Sequence, residues 1–187
     1  MNNLILQAQE AQACRACDLA KSRRQAVFGS GPSDARLMVI GEAPGRHEDE
    51  GGAPFIGRSG QLLVRLLEEE LGLGRDDVYI ANAVKCRPPE NRTPTKQEIV
   101  ACGPRLAAQI AALGPHVLLC VGATAQRAVI GDASPMREAH GQIFETRCGV
   151  KAVVTYHPAA ALRGGSRIVD LMRQDLHVVR ALLSTAS

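Results

Sequence analysis

The sequence has no tryptophan, and only three phenylalanines and two tyrosines among 187 residues. Its core must be built from Leu, Val, Ile and Ala, so a phenylalanine standing among polar residues asks for another explanation. Long apolar runs are missing too: no stretch reaches the roughly 18 residues of a transmembrane helix. The opening segment MNNLILQAQEAQACRAC lacks the basic start and apolar centre of a secretory signal, so a cytoplasmic protein is expected. Neither sign of charge dominates. A formal net charge of +3 gives no whole-molecule field for nucleic acid, and such binding would need a local basic groove. No internal repeat or low-complexity tract is visible. No apolar stripe is left over for an interface either, which predicts a monomer.

The chain suits one compact domain over 1–187. Four short apolar runs closed by turn or polar residues read as buried parallel strands: Arg36–Gly41, Val78–Val84, Val117–Gly122 and Ala152–Tyr156. Helical patterns alternate with them. Leu62, Leu63, Leu66 and Leu67 recur at helical spacing over Ser59–Leu71, with Gly72 as a stop. Thr95 and Glu98 form a capping-box pattern at the head of Thr95–Leu113, and Gly114-Pro115 ends it. A last helix is predicted over Arg167–Leu183. This alternation implies an α/β fold with a parallel sheet covered on both faces, where ligands sit at the carboxyl ends of the strands.

Six cysteines in a chain of this kind point to metal or redox chemistry before disulfides. Cys14 and Cys17 are spaced C-x2-C, Cys86 follows the second strand, and Cys102 lies in the next helix. Four thiolates of this kind hold either zinc or an iron–sulfur cluster, and spacing does not choose between them. Cys120, inside a strand, and Cys148, in a hairpin, read as free thiols.

The unusual residues stand at the strand ends. Gly41, Glu42 and Ala43 open a glycine- and proline-rich loop whose backbone amides can face a ligand, and Glu42 at the tip can hold a water. Phe55 lies in a polar, glycine-rich stretch, which suits stacking on a flat ring, with ordinary packing as the alternative. Arg58 and Ser59 open a helix whose free amides can take a backbone phosphate. Asn82 interrupts an apolar strand end with both a donor and an acceptor, as reading the edge of a base requires; a structural amide is the alternative. His157 ends the fourth strand ahead of Pro158, where a neutral imidazole can donate to an oxygen that becomes anionic. His47 and the run Glu48-Asp49-Glu50 read as a solvated loop.

Taken together, the blocks GEAPGRHEDEGGAPFIGRSGQLL, NAVKCRPPENRTPTKQEIVAC and YHPAAAL, with the N-terminal CRAC, resemble the family 4 uracil-DNA glycosylases, the iron–sulfur branch of that superfamily. They cover most of the chain in the expected order with all four cysteines in register. The resemblance implies a three-layer α/β/α sandwich around a four-stranded parallel sheet. It also implies a structural 4Fe–4S cluster on Cys14, Cys17, Cys86 and Cys102, and uracil-containing DNA, single- or double-stranded, as substrate. Gly41, Glu42 and Ala43 then form the pocket wall and water site, Phe55 stacks on uracil, Asn82 reads its polar edge, and His157 faces O2. Glu48 and Asn91 match supporting positions. Ala160 and Ala161 stand where relatives carry bulkier residues, so Leu162, with Arg163 beside it, is the residue expected to fill the vacated DNA stack. Ser59 replaces an alanine found in many relatives.

The implied reaction is hydrolysis of the N-glycosidic bond, releasing uracil and leaving an abasic site for base excision repair. With no lysine at the strand ends, strand cleavage through a Schiff base is not expected. Three rivals remain at this point. A relative that captures DNA covalently would carry a basic, histidine-containing insertion absent from CRPPENRTPTKQE. A non-catalytic zinc module is separable by metal analysis. A ferredoxin-like carrier would have its cysteines closer together.

Overall fold

The computed structural model describes residues 3–131 and 133–185. Five strands, β1 (Leu37–Gly41), β2 (Tyr79–Asn82), β3 (Val117–Val121), β4 (Ile143–Glu145) and β5 (Lys151–Thr155), form one sheet in the order β2-β1-β3-β5-β4. Neighbours pair in parallel except β4, which runs antiparallel to β5 at the edge. The four parallel strands are those predicted from the apolar runs: β1, β2 and β3 are shorter by a residue or more, and β5 is shifted one residue toward the N-terminus. The fifth was not anticipated. It is three residues long, with Ile143 and Glu145 exposed, and so lacks the apolar run that marked the others. Cys148 sits in the β4–β5 turn and is exposed, as expected of a free thiol.

The helices are α1 (Asn3–Ala13), α2 (Leu19–Ser22), α3 (Arg46–Gly51), α4 (Arg58–Leu71), α5 (Lys96–Leu113), α6 (Ala123–Val129), α7 (Met136–Ala139), α8 (Pro158–Gly164) and α9 (Ser166–Thr185). Alternate strand residues face opposite layers. Met38, Ile40, Leu118 and Val154 meet Leu106, Ile110 and Leu113 of α5 on one face. Val39, Ile80, Leu119 and Val153 meet the leucines of α4 and Met172, Leu176 and Val179 of α9 on the other. The result is an α/β/α sandwich. Among the described residues no helix is long and apolar enough to cross a membrane.

The helix punctuation follows the sequence. Thr95 accepts from the Glu98 amide at 3.2 Å, and Glu98 accepts from the Thr95 amide at 2.7 Å. Arg92 grips both Glu98 oxygens, which with the Thr95 bonds holds this carboxyl at about 2. Gly72 and Gly114 end α4 and α5 in the left-handed conformation. Helix α5 also continues through Pro104, which by propensity would break it.

The chain runs from β1 outward to β2, then returns to place β3 on the other side of β1. That reversal opens a crevice beyond the carboxyl ends of β1 and β3.

Candidate active site

The tips of β1 and β2 end together: Gly41 pairs with Asn82, and the Ala83 and Val84 amides donate to the Gly41 and Glu42 carbonyls at 2.8 and 3.2 Å. A side chain at position 41 has no room. A Cβ there would lie 2.5 Å from Asn82 Oδ1 and 2.5 Å from the Phe55 ring. The glycine therefore lets a buried amide and an aromatic face close on one spot.

Phe55 holds a left-handed backbone, φ 52°, which for a bulky residue costs about 1–3 kcal/mol. Its surroundings enforce it. Arg75 donates to the Phe55 carbonyl at 3.2 Å and also to that of Pro54, and Gly60 packs so closely on the Phe55 backbone that no Cβ would fit. A strained residue pinned from two sides is a fixed platform.

His157 caps α8. Its Nδ1 accepts from the Ala159 amide at 3.2 Å, so the proton of the neutral ring resides on Nε2. Burial pushes this imidazole down to about 4; Arg163 adds to the effect and Glu48 opposes it. The ring is thus a neutral donor at ordinary pH. It lies 6.0 Å, centroid to centroid, from Phe55. Gly122, at φ 90°, allows the end of β3 to approach it.

Ala43, Gly45, Glu48, Phe55, Ser59, Asn82 and His157 line one cavity of about 130 Å³. Six of these were predicted as site residues. Gly41 backs its wall. Glu42 does not line it; its carboxylate turns toward the crevice and accepts from Thr124 Oγ1 at 2.5 Å. Glu48 reaches neither Asn82 nor His157, and instead clasps the loop by accepting from the Gly45 and Gly57 amides at 3.1 and 3.0 Å. Arg58, Leu162 and Arg163 are exposed. Leu162 presents half its surface to solvent on α8, which starts at His157. Asn91 stands apart on an exposed left-handed turn, where its Oδ1 accepts from Arg87 at 2.7 Å.

His47 and the run Glu48-Asp49-Glu50, expected as a solvated loop, lie in helix α3. Asp49 within it is buried and accepts from the Arg24 amide at 3.0 Å, because its carboxylate supplies acceptors to a chain segment that has no strand partner. Sequence reasoning also missed Thr124, Arg75 and Lys85. Threonine after Val121-Gly122 and arginine after Leu73-Gly74 carry no local signal. Lys85 stands between Val84 and Cys86 in an otherwise apolar segment, which was a usable sign of burial.

Cys14, Cys17, Cys86 and Cys102 line a second cavity together with Arg23, Lys85 and Arg105. None of the six cysteines is in a disulfide. Arg23 donates to Cys86 Sγ at 2.8 Å. Burial opposes ionisation of Cys14, but the Ala16 amide and the Arg105 and Arg23 guanidiniums outweigh it and hold this thiol below its ordinary value. Burial raises Cys86 and Cys102. Cys120, with no such partner, is pushed up to about 12. Cys17, Cys86 and Cys102 share a small apolar cluster with Ala43, so the two cavities are neighbours. Lys85, the largest of the fully buried side chains, donates to the Asn82 carbonyl at 2.8 Å and to Gln109 Oε1 at 2.6 Å.

Comparison with known proteins shows the family. The family description Uracil DNA glycosylase superfamily matches residues 28–181. A type-4 uracil-DNA glycosylase of Saccharolobus solfataricus is 44% identical over 99% of this chain and 88% of its own length. Those of Thermotoga maritima and Archaeoglobus fulgidus are 43% and 42% identical, over 85% and 82% of this chain and 83% and 80% of their own lengths. On this family match and these relatives, the chain belongs to the type-4 branch of the uracil-DNA glycosylase superfamily.

Proposed function

We propose that this protein removes uracil from DNA by hydrolysing its N-glycosidic bond, as a repair glycosylase. The observation that carries the reading is the meeting of Asn82, Phe55 and a neutral, Nε2-protonated His157 around one small cavity. The target nucleotide leaves the stack at a cost of a few kcal/mol, smallest where the base is mispaired. Phe55 then stacks on the uracil ring, and the Asn82 amide pairs with O4 and N3–H. As the bond breaks, negative charge gathers on O2 and positive charge on the sugar. His157 Nε2–H donates to O2, with backbone amides near Gly41–Ala43 beside it; one such donor contributes about 3 kcal/mol. Glu42, steadied by Thr124, orients the attacking water and favours the cationic sugar. Arg58, Ser59 and Arg163 meet the DNA backbone, and Leu162 fills the space left by the flipped nucleotide. Glu48 holds the loop in shape.

Lys85 follows the end of β2, and its ammonium is engaged by the Asn82 carbonyl and Gln109 Oε1. This favours a hydrolase without a Schiff-base step.

The four thiols fit a 4Fe–4S cluster better than one zinc ion. Tetrahedral zinc draws four sulfurs to about 2.3 Å from a single point. The cysteines instead ring a cavity flanked by Arg23 and Arg105, whose charge suits an anionic thiolate cluster. Cys14, Cys17, Cys86 and Cys102 would hold it, and its contribution is to pin the N-terminal segment to β2 and α5. The reading includes a single domain acting as a monomer in the cytoplasm, where reduced thiols can keep iron.

The test is incubation of the purified protein with a labelled oligonucleotide carrying one uracil, followed by hot alkali. Cleavage only of the uracil strand supports the reading. An intact strand from brown protein that still shifts the oligonucleotide on a gel would replace it with a binding role.

A further inference from the structure

Lys85 is 1% exposed, and among the described residues no carboxylate lies within ion-pair distance of it. A buried ammonium without an anion is costly, so the bonds it does make are informative. One goes to the main-chain carbonyl of Asn82 and one to Gln109 Oε1. Gln109 is itself fully buried and fixed by donating to Phe28 O and the Tyr79 hydroxyl, both at 3.0 Å. The ammonium also stands over the Phe28 ring, 5.7 Å from its centre. On its other side the Lys85 backbone amide bonds the Cys102 thiol, and the side chain lines the cavity of the four cysteines. One residue thus touches both the thiol-bearing segment and the strand tip that carries the cleft amide.

We propose that Lys85 is a positioning residue for base recognition: its ammonium grips the Asn82 carbonyl and sets the direction of the amide, tying its orientation to the thiol-lined segment around Cys86 and Cys102. The inference rests on the reading of Asn82 as the residue that recognises uracil. Asn82 ends β2 at the edge of the sheet, and its carbonyl faces away from β1, on the side where the Ile80 carbonyl two residues earlier accepts from the Ser30 amide. Lys85 replaces the missing strand partner. Rotation of that peptide plane would swing the amide out of the spot that Gly41 leaves open.

The test is a double-mutant cycle on Lys85→Met and Asn82→Ala. The readout is equilibrium binding of an oligonucleotide carrying one 2′-fluoro-2′-deoxyuridine, which resists excision, against the same strand with 2′-fluoro-2′-deoxycytidine, whose N4–H2 and unprotonated N3 reverse the edge that Asn82 reads. Brown absorbance and melting temperature are recorded beside it. Lys85→Met is expected to keep its colour and to lower the uracil-to-cytosine binding ratio about tenfold. In the Asn82→Ala background it is expected to change the ratio no further. An unchanged ratio for Lys85→Met alone overturns the inference, as does an equal loss in both backgrounds, which would mark a general structural role. If Asn82→Ala by itself leaves the ratio intact, the recognition assignment fails, and that failure is visible separately. Should Lys85→Met not fold, Gln109→Met removes the other anchor of the ammonium and is held to the same two criteria.

Discussion

Only Ala83, Val84 and Lys85 separate the amide of the cleft from Cys86 of the cysteine cavity, yet the two sites are built by opposite means. The cleft is made by leaving atoms out. Gly41, Gly60 and Gly122 each admit a neighbour that a side chain would exclude, and the strained Phe55 is pinned rather than relaxed. The cysteine cavity is made by adding charge. Arg23, Arg105 and Lys85 gather where four thiols meet, and the walls between them are alanines. The cleft depends on shape held to a few tenths of an ångström. The cavity depends on cations that favour an anionic occupant, which tolerates more positional error.

If that contrast is right, removing a thiol should harm the fold, while removing a cleft side chain should harm only chemistry. Cys86→Ala is expected to abolish the brown colour and lower the melting temperature by on the order of 10 °C, read by absorbance and thermal unfolding. A colourless variant melting with the wild type would deny the cavity its structural role. His157→Ala and Asn82→Ala are expected to slow single-turnover excision by about 10²–10³-fold while colour and melting hold. Wild-type rates in both would break the cleft side of the comparison.

Smaller effects sharpen it. Gly41→Ala adds one methyl where the Asn82 amide and Phe55 ring already meet, and overpacking of this kind costs about 1–3 kcal/mol. Excision is expected to fall roughly tenfold or more, with retained colour. A variant excising uracil normally would mean that the close approach is incidental.

The weakest effect concerns pH. His157 sits near 4 in the folded protein, below its ordinary 6.5, chiefly through burial. Between those values the unfolded chain takes up a proton that the folded one refuses. Its contribution to stability is therefore whole above 6.5, declines as pH falls to about 4, and changes no further below. His157→Gln should gain melting temperature relative to wild type over that window. Single-turnover excision should show no inflection from this ring near 6.5. An inflection there would make His157 an ordinary solvated histidine.

The cleft was legible where its residues broke a local pattern. Phe55 stood out in a polar loop, Asn82 in an apolar strand end, and His157 before a proline; all three line one cavity. The four cysteines were legible by type, and the structure brings them to one cavity as well. Thr124 and Arg75 were not legible, because each acts on a residue distant in the chain and breaks no pattern of its own. Asp49 misled for the related reason that a charge run reads as solvated unless its distant amide partners are known.

The sequence by itself determined the four parallel strands, the caps at Thr95, Gly72 and Gly114, and the residue types of both sites, because periodicity, capping and side-chain chemistry are local properties. Tertiary structure decided the edge strand β4, the passage of α5 through Pro104, the left-handed Phe55 and the burial of Lys85. The first three contradict what their own neighbourhood in the chain favours, and the fourth what the charge of lysine favours. Each is held by contacts from elsewhere: β5 against β4, the surrounding core against α5, Arg75 and Gly60 against Phe55, and Gln109 against Lys85.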